Sequence, residues 1–267
     1  MKAAVLYAND DLRYDDYPMP RPGKGEVLVK VRATGICGSD VPRVLHNGAH
    51  FYPIVLGHEF SGEIVELGEG VEGFSVGDRV AGAPLIPCFQ CNHCQKGSYS
   101  LCKSYSFIGS RVQGSFAQYI KLNARNAVKM DSNVSFEQGA LIEPSTVALH
   151  GIRRVSYKGG KDVAVLGGGT IGLFTAQWAK IFGAKRVVVF DIDNDRLKLA
   201  ERLGADYTIN TMEEGFLDKA FEITKGEGFD YIFETAGAEP TIKMFFELAG
   251  NNSSACLFDK CPTLLLI

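Results

Sequence analysis

Short runs in which apolar and polar residues take turns dominate the first half of the chain. Glu26-Val27-Leu28-Val29-Lys30-Val31-Arg32 alternates in part with period two and is rich in valine. Similar runs lie at residues 63–67, 78–83 and 117–122, and residues 3–8 read as a first strand. A period of two puts one face of a strand on a core. Turn residues separate these runs: Pro20-Arg21-Pro22-Gly23-Lys24-Gly25, Gly68-Glu69-Gly70, Gly73 and Gly77-Asp78. Several short strands at such spacing predict a small barrel or sandwich.

The pattern changes near Tyr157-Lys158-Gly159-Gly160-Lys161. Beyond it, apolar strands at 162–166, 186–190, 206–209 and 231–233 alternate with helical stretches: one running through Trp178 and Ile181, then 194–203, 211–224 and 241–248. Strands alternating with helices predict βαβ units on a parallel sheet. Two domains follow, 1–157 and 158–267, as a chain of 267 residues suggests at about 150 residues per domain. No internal repeat or low-complexity segment interrupts them.

Composition narrows the function classes. Hydrophobic residues make up 46% and charged residues 22%, which is globular usage. The net charge of −3, from 28 basic and 31 acidic side chains, leaves no basic excess to neutralise phosphates, so nucleic acid is not an expected partner. No apolar run approaches the ~18 residues of a membrane span, and the run at 3–8 is too short for a signal peptide. The expected location is the cytoplasm. Seven cysteines, four of them between 88 and 102, then argue for metal before disulfide.

Two motifs carry chemistry on spacing alone. Cys88-x2-Cys91-x2-Cys94-x7-Cys102 places four thiolates within fifteen residues, enough to close a tetrahedral zinc site with no position open to substrate. Gly97 lets the loop fold back so that Cys102 arrives. Such a site stabilises a lobe and does no chemistry. Gly167-x-Gly169-x-x-Gly172 follows an apolar strand and opens a helix, the context in which this pattern binds a dinucleotide. Gly167 makes the turn, Gly169 admits the pyrophosphate to the backbone and Gly172 allows helix–strand packing. Asp191 ends the next strand, 22 residues after Gly169. A carboxylate there accepts from ribose hydroxyls and repels a 2′-phosphate, which favours NAD over NADP.

A third set, Cys37, His58, Glu59 and Glu143, proves nothing by spacing. An isolated cysteine is usually a small buried hydrophobe, and an isolated histidine a hydrogen-bonded core residue. The local text raises it: Cys37-Gly38-Ser39-Asp40 closes a strand, Gly57-His58-Glu59 opens another, and Ile142-Glu143-Pro144 is a carboxylate in apolar surroundings.

Gly35-Ile36-Cys37-Gly38-Ser39-Asp40, Gly57-His58-Glu59-Phe60-Ser61-Gly62, Gly77-Asp78-Arg79-Val80, the four-cysteine lobe and the glycine fingerprint, in that order, together resemble the zinc-dependent medium-chain alcohol/polyol dehydrogenases. The resemblance covers residues 1 to about 250. It implies an α/β protein with a β-rich N-terminal GroES-like barrel that carries the catalytic and structural zinc ions, followed by a Rossmann doubly wound parallel sheet for NAD. It also implies a catalytic zinc on Cys37, His58 and Glu143, with Glu59 as a fourth ligand or yielding that place to water or substrate. Asp40 would orient the His58 ring, and Ser39 would contact the substrate hydroxyl and pass its proton. Thr170, Ile171 and Arg196 would join Gly167, Gly169, Gly172 and Asp191 at the cofactor. Full-length relatives suggest a homodimer or homotetramer.

The segments around Val41-Pro42-Arg43, Asn47-Gly48-Ala49-His50, Pro84-Leu85-Ile86-Pro87 and Phe107-Ile108-Gly109-Ser110-Arg111 resemble, more narrowly, the polyol-phosphate branch, which oxidises galactitol 1-phosphate to tagatose 6-phosphate. Sorbitol, other polyols and threonine are the substrates of close branches. Arg43 and His50 are candidates for a substrate phosphate, against a reading as surface charge and core histidine. Two departures stand out. Simple alcohol dehydrogenases end their proton relay at a His where this chain has Pro42, so the proton would leave through zinc-bound water or Glu59. Residues 254–258 read as the fifth strand of the nucleotide sheet, but 259–267 do not read as its continuation, so the chain is expected to be truncated, with an incomplete sheet. An inactive zinc-binding fragment is therefore an alternative to the active enzyme.

Overall fold

The computed structural model describes residues 1–258. The chain divides into two compact units, Met1–Glu143 and Pro144 onward. The boundary lies earlier than the 157/158 junction expected from the sequence, because the helix around Ile152 packs into the second core. No helix among the described residues is long and apolar enough to cross a membrane.

In the first unit the elements run β1 (Lys2–Ala8), β2 (Asp11–Asp16), β3 (Glu26–Gly35), α1 (Asp40–Leu45), β4 (Ile54–Val55), β5 (Glu59–Leu67), β6 (Arg79–Gly82), β7 (Leu85–Ile86), α2 (Asn92–Gln95), β8 (Ser106–Phe107), β9 (Tyr119–Asn123), β10 (Ala127–Lys129) and α3 (Phe136–Ala140). The predicted β-rich architecture is present as an antiparallel five-stranded sheet in the order β10-β6-β5-β3-β9, beside β2-β1-β4 and the β7-β8 pair. Val27, Val29, Phe60, Ile64, Val80, Ile120 and Leu122 turn inward from this sheet and form its core. Strand β5 starts at Glu59, four residues before its period-two run becomes visible, because the preceding Phe60-Ser61-Gly62 stretch is buried throughout.

The second unit begins within α4 (Ile142–Arg154) and continues β11 (Asp162–Leu166), α5 (Thr170–Ile181), β12 (Arg186–Asp191), α6 (Asn194–Arg202), β13 (Tyr207–Asn210), α7 (Phe216–Thr224), β14 (Phe229–Glu234), α8 (Glu239–Glu247) and β15 (Ala249–Leu257). Among the described residues its five strands are parallel, in the order β13-β12-β11-β14-β15. Alternate residues serve opposite faces. Val163, Val165, Val187 and Val189 meet Ile152 and helices α5 and α6; Ala164, Leu166, Val188 and Phe190 meet α7 and α8. Burial on both faces is why these strands read as continuous apolar runs. Helix α7 starts at Phe216 rather than Thr211, since Gly215 takes φ +72° just before it. Strand β15 includes residues 254–257 of the predicted 254–258 stretch and begins five residues earlier. The expectations for residues 259–267 lie outside the described residues. At the opposite ends of β11 and β12 from the glycine turn, Asp162 accepts two 2.7 Å bonds from the Arg186 guanidinium and one of 3.1 Å from Lys185.

Candidate metal and dinucleotide sites

Strand pairing places the first cluster. Gly35, the last residue of β3, sits opposite Glu59, the first of β5. Cys37 and His58, just beyond these ends, are thereby brought side by side. One donor atom from each of Cys37, His58 and Glu59 lies within 4.8 Å of the other two. His58 and Glu59 are buried, and the His58 ring meets Phe107 edge-on at 5.5 Å between centroids. Glycines make room. A Cβ on Gly35 would overlap the Glu59 carboxylate. Gly57, at φ +93°, is so tightly covered by Gly109 and Gly114 that a side chain on either would strike its carbonyl. Gly35, Gly57 and Phe107 all stand in motifs of the sequence, but these roles are not legible there. A glycine two residues before Cys37 and one directly before His58 were the available signal.

Glu59, expected as a fourth ligand, is a member of that mutual set; Glu143, also expected, is not one of its three members. Glu143 enters from the first turn of α4. Helix α3 leads to it, closed by a Ser135–Gln138 capping box and tied to β5 where the Ser61 hydroxyl donates to the Phe136 carbonyl. Burial, with the charges of Glu59 and Asp40, pushes the Glu143 carboxyl up to about 7. Burial also raises Cys37, Glu59 and Asp40 and lowers His58. So many acidic groups buried together, with the half-buried Arg43 as neighbour, form a donor set that fits a divalent cation.

Asp40 does not hydrogen-bond to His58 as expected. Its Oδ2 accepts the Cys37 N–H at 3.0 Å, while Oδ1 stands 3.7 Å from His58 Nδ1. Both of these last atoms are buried and without a hydrogen-bond partner, although Arg43 Nη1 also stands 3.7 Å from Asp40 Oδ1. The Ser39 hydroxyl donates to Cys37 Sγ at 3.3 Å and accepts from Arg43 Nη1 at 3.3 Å. His50 is exposed in the bend before β4.

The four-cysteine lobe closes as its spacing predicts. One sulfur from each of Cys88, Cys91, Cys94 and Cys102 lies within 4.8 Å of the others. Gly97 takes φ +74° at the fold-back. Backbone N–H donors pull the Cys91 thiol down to about 6, while burial pushes Cys94 up to about 12. Thiols so crowded and so unequal suit a shared cation.

In the second unit, Gly167 turns at φ +108° after β11. A Cβ on Gly172 would strike the Gly167 carbonyl, whereas beside Gly169 nothing lies within 4 Å. That open space lies ahead of Thr170 and Ile171 in the first turn of α5, at a helix N-terminus, whose N–H groups favour an anion. Buried Asp191 accepts the Gly168 N–H at 2.6 Å and the Asp193 N–H at 2.9 Å, with Arg196 Nη1 at 3.7 Å.

Residues 23–132 match the family model described as alcohol dehydrogenase GroES-like domain, and residues 170–258 the one described as zinc-binding dehydrogenase. Galactitol 1-phosphate 5-dehydrogenase of Escherichia coli K12 is 44% identical over 258 residues, covering 96% of this chain and 75% of that protein. Sorbitol dehydrogenase of Bacillus subtilis is 38% identical over 242 residues, covering 89% and 69%. The crystal structure of galactitol-1-phosphate dehydrogenase from Escherichia coli superposes with a TM-score of 0.92 at 40% identity, over all of this chain and 78% of that one.

Proposed function

The chain belongs to the zinc-binding medium-chain alcohol dehydrogenases, and on that premise we propose that it oxidises a secondary alcohol of a polyol phosphate and passes the hydride to NAD. The observation that carries this reading is the meeting of Cys37, His58 and Glu59 donors within 4.8 Å of one another, in a unit that also holds the four-cysteine lobe.

In this reading Cys37, His58 and Glu59 hold the catalytic zinc, Glu143 is the next carboxylate donor, and Cys88, Cys91, Cys94 and Cys102 hold a structural zinc. When bound, the catalytic zinc supplies the Lewis acidity that acidifies an alcohol, and NAD supplies the hydride acceptor. The protein orients and deprotonates. The Ser39 hydroxyl, fixed between Cys37 Sγ and Arg43, receives the substrate proton at Oγ as it gives up its own. Pro42 offers no group to pass that proton on, so it would leave through water at the metal, or through the Glu59 carboxylate where that group yields its place as a ligand. Gly169 leaves room for the pyrophosphate, and Asp191 accepts from the adenosine ribose.

The substrate class rests on the 44% identical relative and on Arg43. This guanidinium donates to Ser39 Oγ at 3.3 Å, and its fork matches a phosphate. The test is NADH formation by zinc-loaded protein with galactitol 1-phosphate, galactitol, sorbitol, butanediol and threonine. The highest kcat/KM is expected for the phosphate ester. A higher value for any unphosphorylated substrate overturns this substrate class.

A further inference from the structure

Beyond the glycine fingerprint, the second unit contains a buried carboxylate that the dinucleotide reading does not use. Glu234 closes β14 and is 1% exposed. Its Oε1 accepts the Ala236 and Gly237 N–H groups at 3.0 Å each and lies 2.8 Å from the Thr241 hydroxyl; Oε2 accepts Gly237 again at 3.3 Å. Among the described residues no ion pair reaches it. Its two oxygens hold one loop, residues 235–237, against the start of α8.

That loop backs the glycine turn. The Thr235 N–H donates to the Leu166 carbonyl at 2.9 Å. The Thr235 hydroxyl sits 2.9 Å from that same oxygen and 3.1 Å from the Gly167 carbonyl, sharing its hydrogen between them. A Cβ on Gly167 or on Gly172 would lie within 2.9 Å of Thr235 Oγ1. The turn therefore rests on Thr235 from both ends, and Thr235 is held where Glu234 fixes the loop.

We propose that Glu234 and Thr235 are positioning residues for the dinucleotide: the carboxylate sets the loop, and the threonine hydroxyl clamps the Gly167–Gly172 turn in the shape that presents its backbone to the pyrophosphate. A carboxylate taking several N–H and O–H donors is a stiff brace, because charged acceptors make the stronger hydrogen bonds. The inference rests on the dinucleotide reading above.

The test compares Thr235→Val, which keeps the shape and loses the hydroxyl, with Thr235→Ser, which restores it. NADH dissociation constants, KM for NAD and for the alcohol, kcat, zinc content and melting temperature are measured on the full chain. Thr235→Val should weaken NADH binding and raise KM for NAD roughly 3- to 10-fold, the range of one or two neutral hydrogen bonds. KM for the alcohol, kcat and zinc content should stay near the parent's values, and Thr235→Ser should recover NADH affinity. Glu234→Gln should weaken NADH in the same direction, and it carries the test if Thr235→Val does not fold. Unchanged NADH affinity in the folded variants, or no recovery with serine, overturns the inference alone. A parent protein that binds no NADH overturns the dinucleotide reading and the inference with it.

Discussion

Asp40 Oδ1 and His58 Nδ1 face each other at 3.7 Å, both buried and both without a hydrogen-bond partner. Closing that gap by less than an ångström would give the imidazole a fixed tautomer and leave its other nitrogen for a metal. Asp40→Asn should therefore weaken zinc binding at this cluster by roughly 10- to 100-fold, the usual cost of losing a group that orients a ligating histidine. Competition against a chelator measures it. Parent-like zinc retention would show that Asp40 does not act through His58.

Gly35→Ala probes the same cluster from the strand. Alanine is tolerated by the extended backbone of β3, but its methyl group would occupy the space of the Glu59 carboxylate. Loss of catalytic zinc and of activity is expected, with a melting temperature only modestly reduced. If zinc content and activity survive, Glu59 is not a required donor.

Cys91→Ser should cost the protein one equivalent of zinc and lower its thermal stability, because a structural site contributes folding energy outright. Metal analysis beside calorimetry distinguishes this from a packing effect. An unchanged zinc content sinks the assignment.

For Asp191→Ala, the expected result is a loss of NAD affinity of about 10-fold, from removing a charged hydrogen-bond acceptor, and a narrower preference over NADP as Arg196 is released from its 3.7 Å partner. A parent that binds NADP as tightly as NAD contradicts the role.

Asp162 gives a pH dependence. Hydrogen bonds from Arg186 and Lys185 hold its carboxyl below its ordinary value. The folded protein thus binds fewer protons here than the unfolded chain, so this contribution is complete above the unfolded value of about 3.9 and is lost as pH falls through the folded one. Asp162→Asn should flatten the acid limb of stability below about pH 4. At neutral pH it should cost about 2 kcal/mol, less than a fully buried pair, since Arg186 keeps 19% of its side chain in solvent. Denaturant titrations across that range provide the measurement. An unchanged acid limb would remove Asp162 from the account.

Legibility in the sequence followed locality. The four-cysteine lobe and the glycine turn could be read from spacing because each lies within one short segment whose chemistry and geometry coincide. The parallel strands were visible as apolar runs for the same reason that they are buried twice. Strand β2, Asp11–Asp16, left no such trace: it is polar, and it exists because β1 offers it a ladder. Helix α1 is six residues long and contains Pro42, too short for a period. The Cys37–His58 meeting depends on β3–β5 register, which includes two irregularities, and only a family resemblance foretold it. Whether Glu59 or Glu143 joins them is decided by side-chain direction, about which a linear sequence is silent.

The separate origins of the two donor clusters set an order of metal uptake. The cysteine loop closes over Cys88–Cys102 with no strand partner between its donors, so it can capture an ion once that stretch of chain is available. The other cluster exists only when β3 and β5 are paired inside a sheet that extends from residue 26 to 129. Under metal scarcity the first ion is expected at the lobe. A preparation holding a single equivalent would be folded, soundly built and catalytically silent, and its activity would climb only with the second.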